Sequence, residues 1–216
     1  MNIIVLDLEF TSINKEHKQE KRISKYEIIQ IGAVRIGSSN KIEDTFSTFV
    51  KPEYSNVSEK VTELTGITDE MLQEALGYND AMDKFFDWIG EDEAIINSWS
   101  ETDKEQIIKE TKLKNYHNER MVEMLDKWVD FQVVYGAMLG FKNQLSLKNA
   151  IKSVDYDFKG SQHSALSDAY NTAELLILTK NEREFKKKTA PVVDLLKESE
   201  PLTYSLADKL KGIKIA

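Results

Sequence analysis

The run IIVLDLEF at residues 3–10 constrains the fold more than any other stretch of the chain. Ile3, Ile4, Val5 and Leu6 are apolar without a break and read as a strand destined for a core. Asp7 and Glu9 then enter with Leu8 between them. Side chains alternate across a strand, so the two carboxylates share one face while Leu8 stays tied to the other. Two acids side by side at the end of a buried strand repel each other unless positive charge sits between them. With 37 acidic residues in 216, chance alone yields roughly six pairs at this spacing. The pair's place at the end of an apolar strand is therefore the signal, not the spacing.

Composition bounds what such a strand can serve. A chain of 216 residues suits one domain, with room for an appendage, and 41% hydrophobic with 31% charged residues describes a soluble globular protein. No apolar stretch is long enough to cross a bilayer and no secretory signal opens the chain, so a cytoplasmic location is expected and no membrane partner. The absence of cysteine excludes disulfides and thiolate metal sites. A formal charge of −8 argues against general coating of duplex DNA, which draws its affinity from Lys and Arg on phosphates. It leaves room for an enzyme that handles a short single strand with its acids gathered around metal ions.

Periodicity then predicts a mixed α/β chain. After the polar stretch 13–25, strands are expected over 26–36 and 41–50, joined by a turn at Gly37–Asn40, which with the first strand make an antiparallel three-strand meander. A short helix over 58–68 starts at a Ser cap and ends at Gly66, and DEMLQEAL and NDAMDKFFDWIG also carry helical spacing. A buried strand is expected at 93–99, a helix at 103–115, a short strand at Trp128 and Val129 leading into a helix to Leu139, a helix in LSLKNAIKSV, and the strongest helix at 164–180. The sum is a mixed five-stranded sheet, the meander plus parallel strands, with helices on both faces.

Two further elements carry chemistry. His163 and Asp168 in HSALSD would lie on different faces of a single helix. They meet if His163 precedes the helix with Ser164 as its N-cap and Asp168 in the early turns, where the helix dipole favours an anion. Asp103 in SWSETD follows a buried strand and opens a helix, at the edge where α/β sheets place their sites. An Asp there is also an ordinary first-turn charge, and Glu101 and Glu105 lie close enough to compete for the role.

The segments DLEFT, WSETD and HSALSDA in this order, with EIIQIGAVRI and ELTGIT between, resemble the DEDD superfamily of 3′→5′ exonucleases in its histidine-containing branch. The resemblance covers roughly residues 1–180 and leaves 181–216 as a C-terminal helical appendage or tail. It implies a ribonuclease H-like fold and hydrolysis of the terminal phosphodiester of a single-stranded 3′ end to nucleoside 5′-monophosphates. It also implies two divalent cations, Mg²⁺ or Mn²⁺, with Asp7 bridging both, Glu9 and Asp168 completing one site, and Asp103 holding the second through water. His163 is then the base toward the attacking water, a role suited to imidazole. Proofreading exonucleases of DNA polymerases carry Asn and Phe just before the third acid. Here Thr102 stands before Asp103 and Ser100 three before it, a pattern closer to the exonucleases that trim RNA. RNA is therefore favoured over DNA.

The remaining residues have two readings each. Phe10 and Thr11 contact the last nucleotide, or Phe10 is a buried aromatic after a strand. Leu64 and Thr65 form part of a base wedge, or an apolar helix end packed on the sheet. Trp99 reads as core ahead of a stacking platform, Asp130 as the cap of the following helix ahead of a catalytic acid, and the basic stretch 15–25 as solvated surface or substrate steering. After Pro191 the chain reads as a packed helix, a dimer element or a tail, and its lysines as surface charge. A catalytically inactive nucleic-acid-binding homologue and a metal-dependent phosphohydrolase of small nucleotides stay open as alternatives.

Overall fold

The opening run forms β1, Asn2–Ser12, the middle strand of a five-stranded sheet ordered β3-β2-β1-β4-β5. In this computed structural model residues 2–141 and 144–198 are described. β2 (Tyr26–Ile36) and β3 (Ile42–Phe49) complete the antiparallel meander expected from sequence. β4 (Ala94–Ser98) pairs parallel to β1, and β5 (Trp128–Asp130) parallel to β4.

Ten helices surround the sheet among the described residues: α1 (Glu20–Ile23), α2 (Glu59–Thr65), α3 (Asp69–Leu72), α4 (Tyr78–Ile89), α5 (Thr102–Leu113), α6 (Glu119–Asp126), α7 (Phe131–Leu139), α8 (Leu147–Ser153), α9 (Ala165–Thr179) and α10 (Glu182–Glu198). Ile4, Leu6 and Leu8 of β1 pack with residues of α4, α5 and α6 on one face. Val5 packs with α7, α8, α9 and Phe185 of α10 on the other. Strict alternation along β1 thus divides the core into two layers.

Several local signals behave as the sequence predicts. The Ser58 hydroxyl accepts from the Val61 N–H at the start of α2, and Gly66 ends that helix in the left-handed region at φ 75°. Asp130 caps α7 by accepting from the Val133 N–H, and Trp99 is 8% exposed in the second core layer. Other expectations need correction. The polar stretch 13–25 contains α1. DEMLQEAL shortens to the four residues of α3. Between α5 and β5 the structure holds α6, which the sequence reading leaves out and which Asn118 caps. Met121 and Met124 of α6 are buried and Leu125 packs partly against the same core. Pro191 lies inside α10. The part of the C-terminal reading beyond residue 198, with its terminal lysines, falls outside the described residues.

A β-bulge marks the end of the acid-bearing segment. Glu9 pairs with Gln30, but Phe10 pairs with Ile28, so Ile29 is the extra residue. The insertion puts Ile28 on the same core face as Ile31 and Ala33. The Ile28 N–H donates to Glu110 at 2.7 Å, a buried carboxyl that also accepts from Gln106. Burial pushes Glu110 up to about 8. Next to the bulge, the fully buried Glu27 accepts from the N–H groups of Glu53 (2.9 Å) and Tyr54 (2.8 Å), the Ser55 hydroxyl (2.5 Å) and the Lys114 ammonium (2.6 Å). Residues 53–55 are thereby pinned to the sheet just ahead of the cap of α2.

Candidate active site

β1 runs further than β4. The last parallel pair is Val5 with Asn97, so the rest of β1 has no partner on that side. The Leu8 N–H donates instead to Asp103 Oδ1 at 3.2 Å, which brings the first turn of α5 to the strand end. Asp103 is 5% exposed, whereas Glu101 and Glu105 point to solvent. The competition that sequence leaves open among these three acids is decided by one tertiary hydrogen bond.

On the other face of β1, α9 approaches through Gly32, the partner of Asp7 in β2. A Cβ at Gly32 would stand 2.2 Å from the backbone of Ala165 and Leu166, so the first turn of α9 lies directly on the strand. Ser164 occupies the cap position, but its side chain makes no capping bond. Gln30, the partner of Glu9, accepts from the Ala165 N–H at 3.1 Å in its place. Sequence reasoning passed over Gln30; the available signal was an amide side chain inside the apolar strand EIIQIGAV.

His163 precedes α9, as expected, in the left-handed region at φ 61°, a conformation that histidine tolerates better than most residues. Its N–H donates to Asp168 Oδ2 at 3.1 Å, so the turn that exposes the imidazole also orients the carboxylate. Glu9, His163 and Asp168 each present a ligand atom within 4.8 Å of the other two. Three elements, β1, the 163 turn and α9, thus meet at one edge.

The electrostatics are those of crowded acids. Burial pushes the Asp7 carboxyl well above the ordinary carboxylate range, and the charges of Asp103, Asp168 and Glu9 push it further. Burial, then Asp168 and Asp103, raise Glu9 to about 8. Burial lifts Asp103 to about 7 against the opposing hydrogen bond from Leu8, and lifts Asp168 to about 6 against the one from His163. Among the described residues, none of the four forms an ion pair with Lys or Arg. Carboxylate oxygens beside one imidazole, short of positive charge, make a donor set that fits hard divalent cations.

The expected substrate residues divide. Phe10 is half-buried with its ring 6.0 Å from that of Tyr26. Leu64 is 50% exposed at the end of α2 and so does not pack fully into the core. The Thr65 hydroxyl donates to the Val61 carbonyl and accepts from the Ile67 N–H. Thr11 is buried, its hydroxyl donating to the Asn56 carbonyl, which ties β1 to the loop before α2.

Known proteins with these features can now be compared. The model of an exonuclease family, RNase_T, matches residues 4–176. DNA polymerase III subunit epsilon of Aquifex aeolicus (strain VF5) is 30% identical over 186 residues, 85% of this chain and 82% of that protein. ERI1 exoribonuclease 2 of Xenopus laevis is 26% identical over 197 residues, 80% of this chain but 27% of that protein. The chain therefore spans about a quarter of the length of this exoribonuclease relative. Among solved structures, the nuclease domain of 3′hExo, a DEDDh family member bound to rAMP, superposes with a TM-score of 0.73 at 22% identity, covering 84% of this chain and 92% of that one. The sheet and its helices are thus those of the ribonuclease H-like fold. No helix among the described residues is long and apolar enough to cross a membrane.

Proposed function

The chain belongs to the RNase_T exonuclease family, and from there we propose that it removes nucleotides from the 3′ end of single-stranded nucleic acid, RNA in preference to DNA, releasing nucleoside 5′-monophosphates. The observation that carries this reading is the meeting of Glu9, His163 and Asp168 at the strand edge that also bears Asp7 and Asp103. A cytoplasmic location, expected from the sequence, goes with it.

Asp7, Glu9, Asp103 and Asp168 would hold two divalent cations, Mg²⁺ or Mn²⁺. When bound, such ions supply the positive charge that stabilises the attacking and leaving oxygens of an in-line displacement. The chain's own residues do the rest. His163, exposed at the rim, accepts the proton of the attacking water, and the bond from its N–H to Asp168 fixes where the ring stands. Phe10 and the exposed Leu64 contact the last nucleotide, with Thr65 beside them. Thr11 contributes by holding the end of β1 against residue 56.

RNA is favoured because Thr102 precedes Asp103 where proofreading subunits carry Asn and Phe just before the third acid, because the small residue Ser100 lies three before it, and because exoribonucleases are among the relatives. The epsilon relative points to DNA, so matched RNA and DNA oligonucleotides carrying a 5′ label decide the matter in Mg²⁺ or Mn²⁺. Stepwise shortening from the 3′ end, faster on RNA and lost in Asp7→Ala, is expected. No shortening, or shortening that survives Asp7→Ala, sinks the reading. His163→Ala should lose most turnover while calorimetry still detects Mn²⁺ binding.

A further inference from the structure

A groove of about 450 Å³ runs between α1 and α5, and its wall includes Phe10 and Thr102, the chain neighbours of Glu9 and Asp103. In a chain of net charge −8, this groove gathers Lys21, Arg22, Lys25 and Lys109 against the single acid Glu105. Arg22, Lys25 and Lys109 are exposed, while the Lys21 ammonium donates to the Ile13 carbonyl and braces the loop. Lys109 and Glu105 meet at 2.7 Å, but both are about half exposed (47% and 58%). A solvent-exposed pair of that kind is weak and readily exchanged, so a phosphate can displace the carboxylate.

The apolar side of the groove is aromatic. Tyr26 is 43% exposed and its ring lies 6.0 Å from that of Phe10. Beneath it the structure is built rather than loose: Gln106 Nε2 and the Ser24 hydroxyl both donate to the Tyr26 carbonyl, at 2.9 and 2.7 Å. The backbone after α1 is thereby fastened to α5, so Tyr26 is carried on a braced segment.

We propose that this groove holds the nucleotides on the 5′ side of the scissile bond. Arg22, Lys25 and Lys109 neutralise successive backbone phosphates, and Tyr26 with Phe10 receives an unstacked base. The inference rests on the exonuclease reading for its direction. Exposed aromatic faces serve splayed bases, which a duplex does not offer, so the ligand is a single strand.

The test uses the full chain, with Arg22, Lys25 and Lys109 all changed to Gln, and separately Tyr26→Ala. Binding of a fluorescein-labelled single-stranded RNA in Ca²⁺ is followed by anisotropy across a salt series. The triple variant should bind about tenfold more weakly, with a log–log salt slope smaller by about 2, given about 0.7 per phosphate on single strands. Tyr26→Ala should weaken binding with the slope unchanged. Hydrolysis of the 4-nitrophenyl ester of uridine 5′-monophosphate, which has no upstream nucleotide, should be equal in parent and variants. Binding and slope within twofold of the parent overturn the proposal. So does a parallel loss on the small ester, which would make these residues part of the acid cluster's support, or equal sensitivity with a blunt duplex. A parent that binds RNA through the groove yet shortens nothing overturns the exonuclease reading and leaves the groove standing.

Discussion

Replacing Lys114 by Met tests the claim that the buried ion pair behind the site positions the loop before α2. The Lys114 side chain is 8% exposed and that of Glu27 0%. Burial alone would lower the lysine's pKa, but the hydrogen bonds and charges of Glu27 and then Glu53 outweigh it, and the group is raised. Breaking a buried pair from one side costs about 3–5 kcal/mol, because a desolvated charge is left behind. Here Glu27 keeps two backbone N–H donors and a hydroxyl, so the lower end applies, about 3 kcal/mol. Urea unfolding with a slope of about 2 kcal/mol per molar should show the midpoint falling by about 1.5 M at unchanged slope. Glu53, the lysine's other partner, is 61% exposed, so Glu53→Gln should cost under about 1 kcal/mol. In activity assays Lys114→Met should raise KM more than it lowers kcat, since Leu64 loses its fixed place while the acids keep theirs. Equal midpoints for Lys114→Met and Glu53→Gln would refute the reasoning.

Three further outcomes are expected. Glu9 is raised to about 8 from an ordinary 4.5, and the other acids move the same way. The metal-free folded chain therefore binds more protons than the unfolded one across that window, and its Tm in EDTA should fall as pH climbs through it. Mg²⁺ should blunt the fall by replacing protons, and a flat Tm profile in EDTA would contradict the crowding of charge. Gly32→Ala places a Cβ against the Ala165 and Leu166 backbone, and denaturation should register a loss of about 3 kcal/mol together with lost turnover. Gly136→Ala, whose Cβ meets nothing within 4 Å in helix α7, should instead gain about 0.5–1 kcal/mol. Leu64→Ser should leave the unfolding free energy within about 0.5 kcal/mol of the parent, because half of the residue is exposed, while KM for oligonucleotides rises.

The sheet was largely legible because its strands announce themselves locally. IIVLDLEF and YEIIQIGAVRI are apolar runs with turn residues between elements, and the alternation of Leu6, Asp7, Leu8 and Glu9 already assigns faces. The acid pair could be singled out for the same reason. What stayed hidden depends on contacts between segments distant in sequence. Glu101, Asp103 and Glu105 look alike until the Leu8 N–H selects one of them. Ser164 is the better cap by local rules, yet Gln30, over a hundred residues earlier, holds the helix start. Nothing local marks Glu27 and Lys114 as a buried pair, because no pattern near either shows that a loop will close over them. The helix over 119–126 was missed although Met121, Met124 and Leu125 recur at helical spacing and face the core, because the segment is only eight residues long and begins within the polar stretch 114–120.

The mismatch in length between β1 and β4 bears on how an inert form of the protein should be made. Asp103 is at once a proposed cation ligand and an acceptor for the Leu8 N–H. Asp103→Ala would both empty a ligand position and leave a buried donor orphaned, so a crystallographer seeking a trapped nucleic-acid complex would obtain a strand end that has shifted. Asp103→Asn keeps an acceptor oxygen for Leu8. Among the described residues no backbone N–H donates to the Asp7 carboxyl, so Asn at that position should silence the chemistry with the scaffold undisturbed.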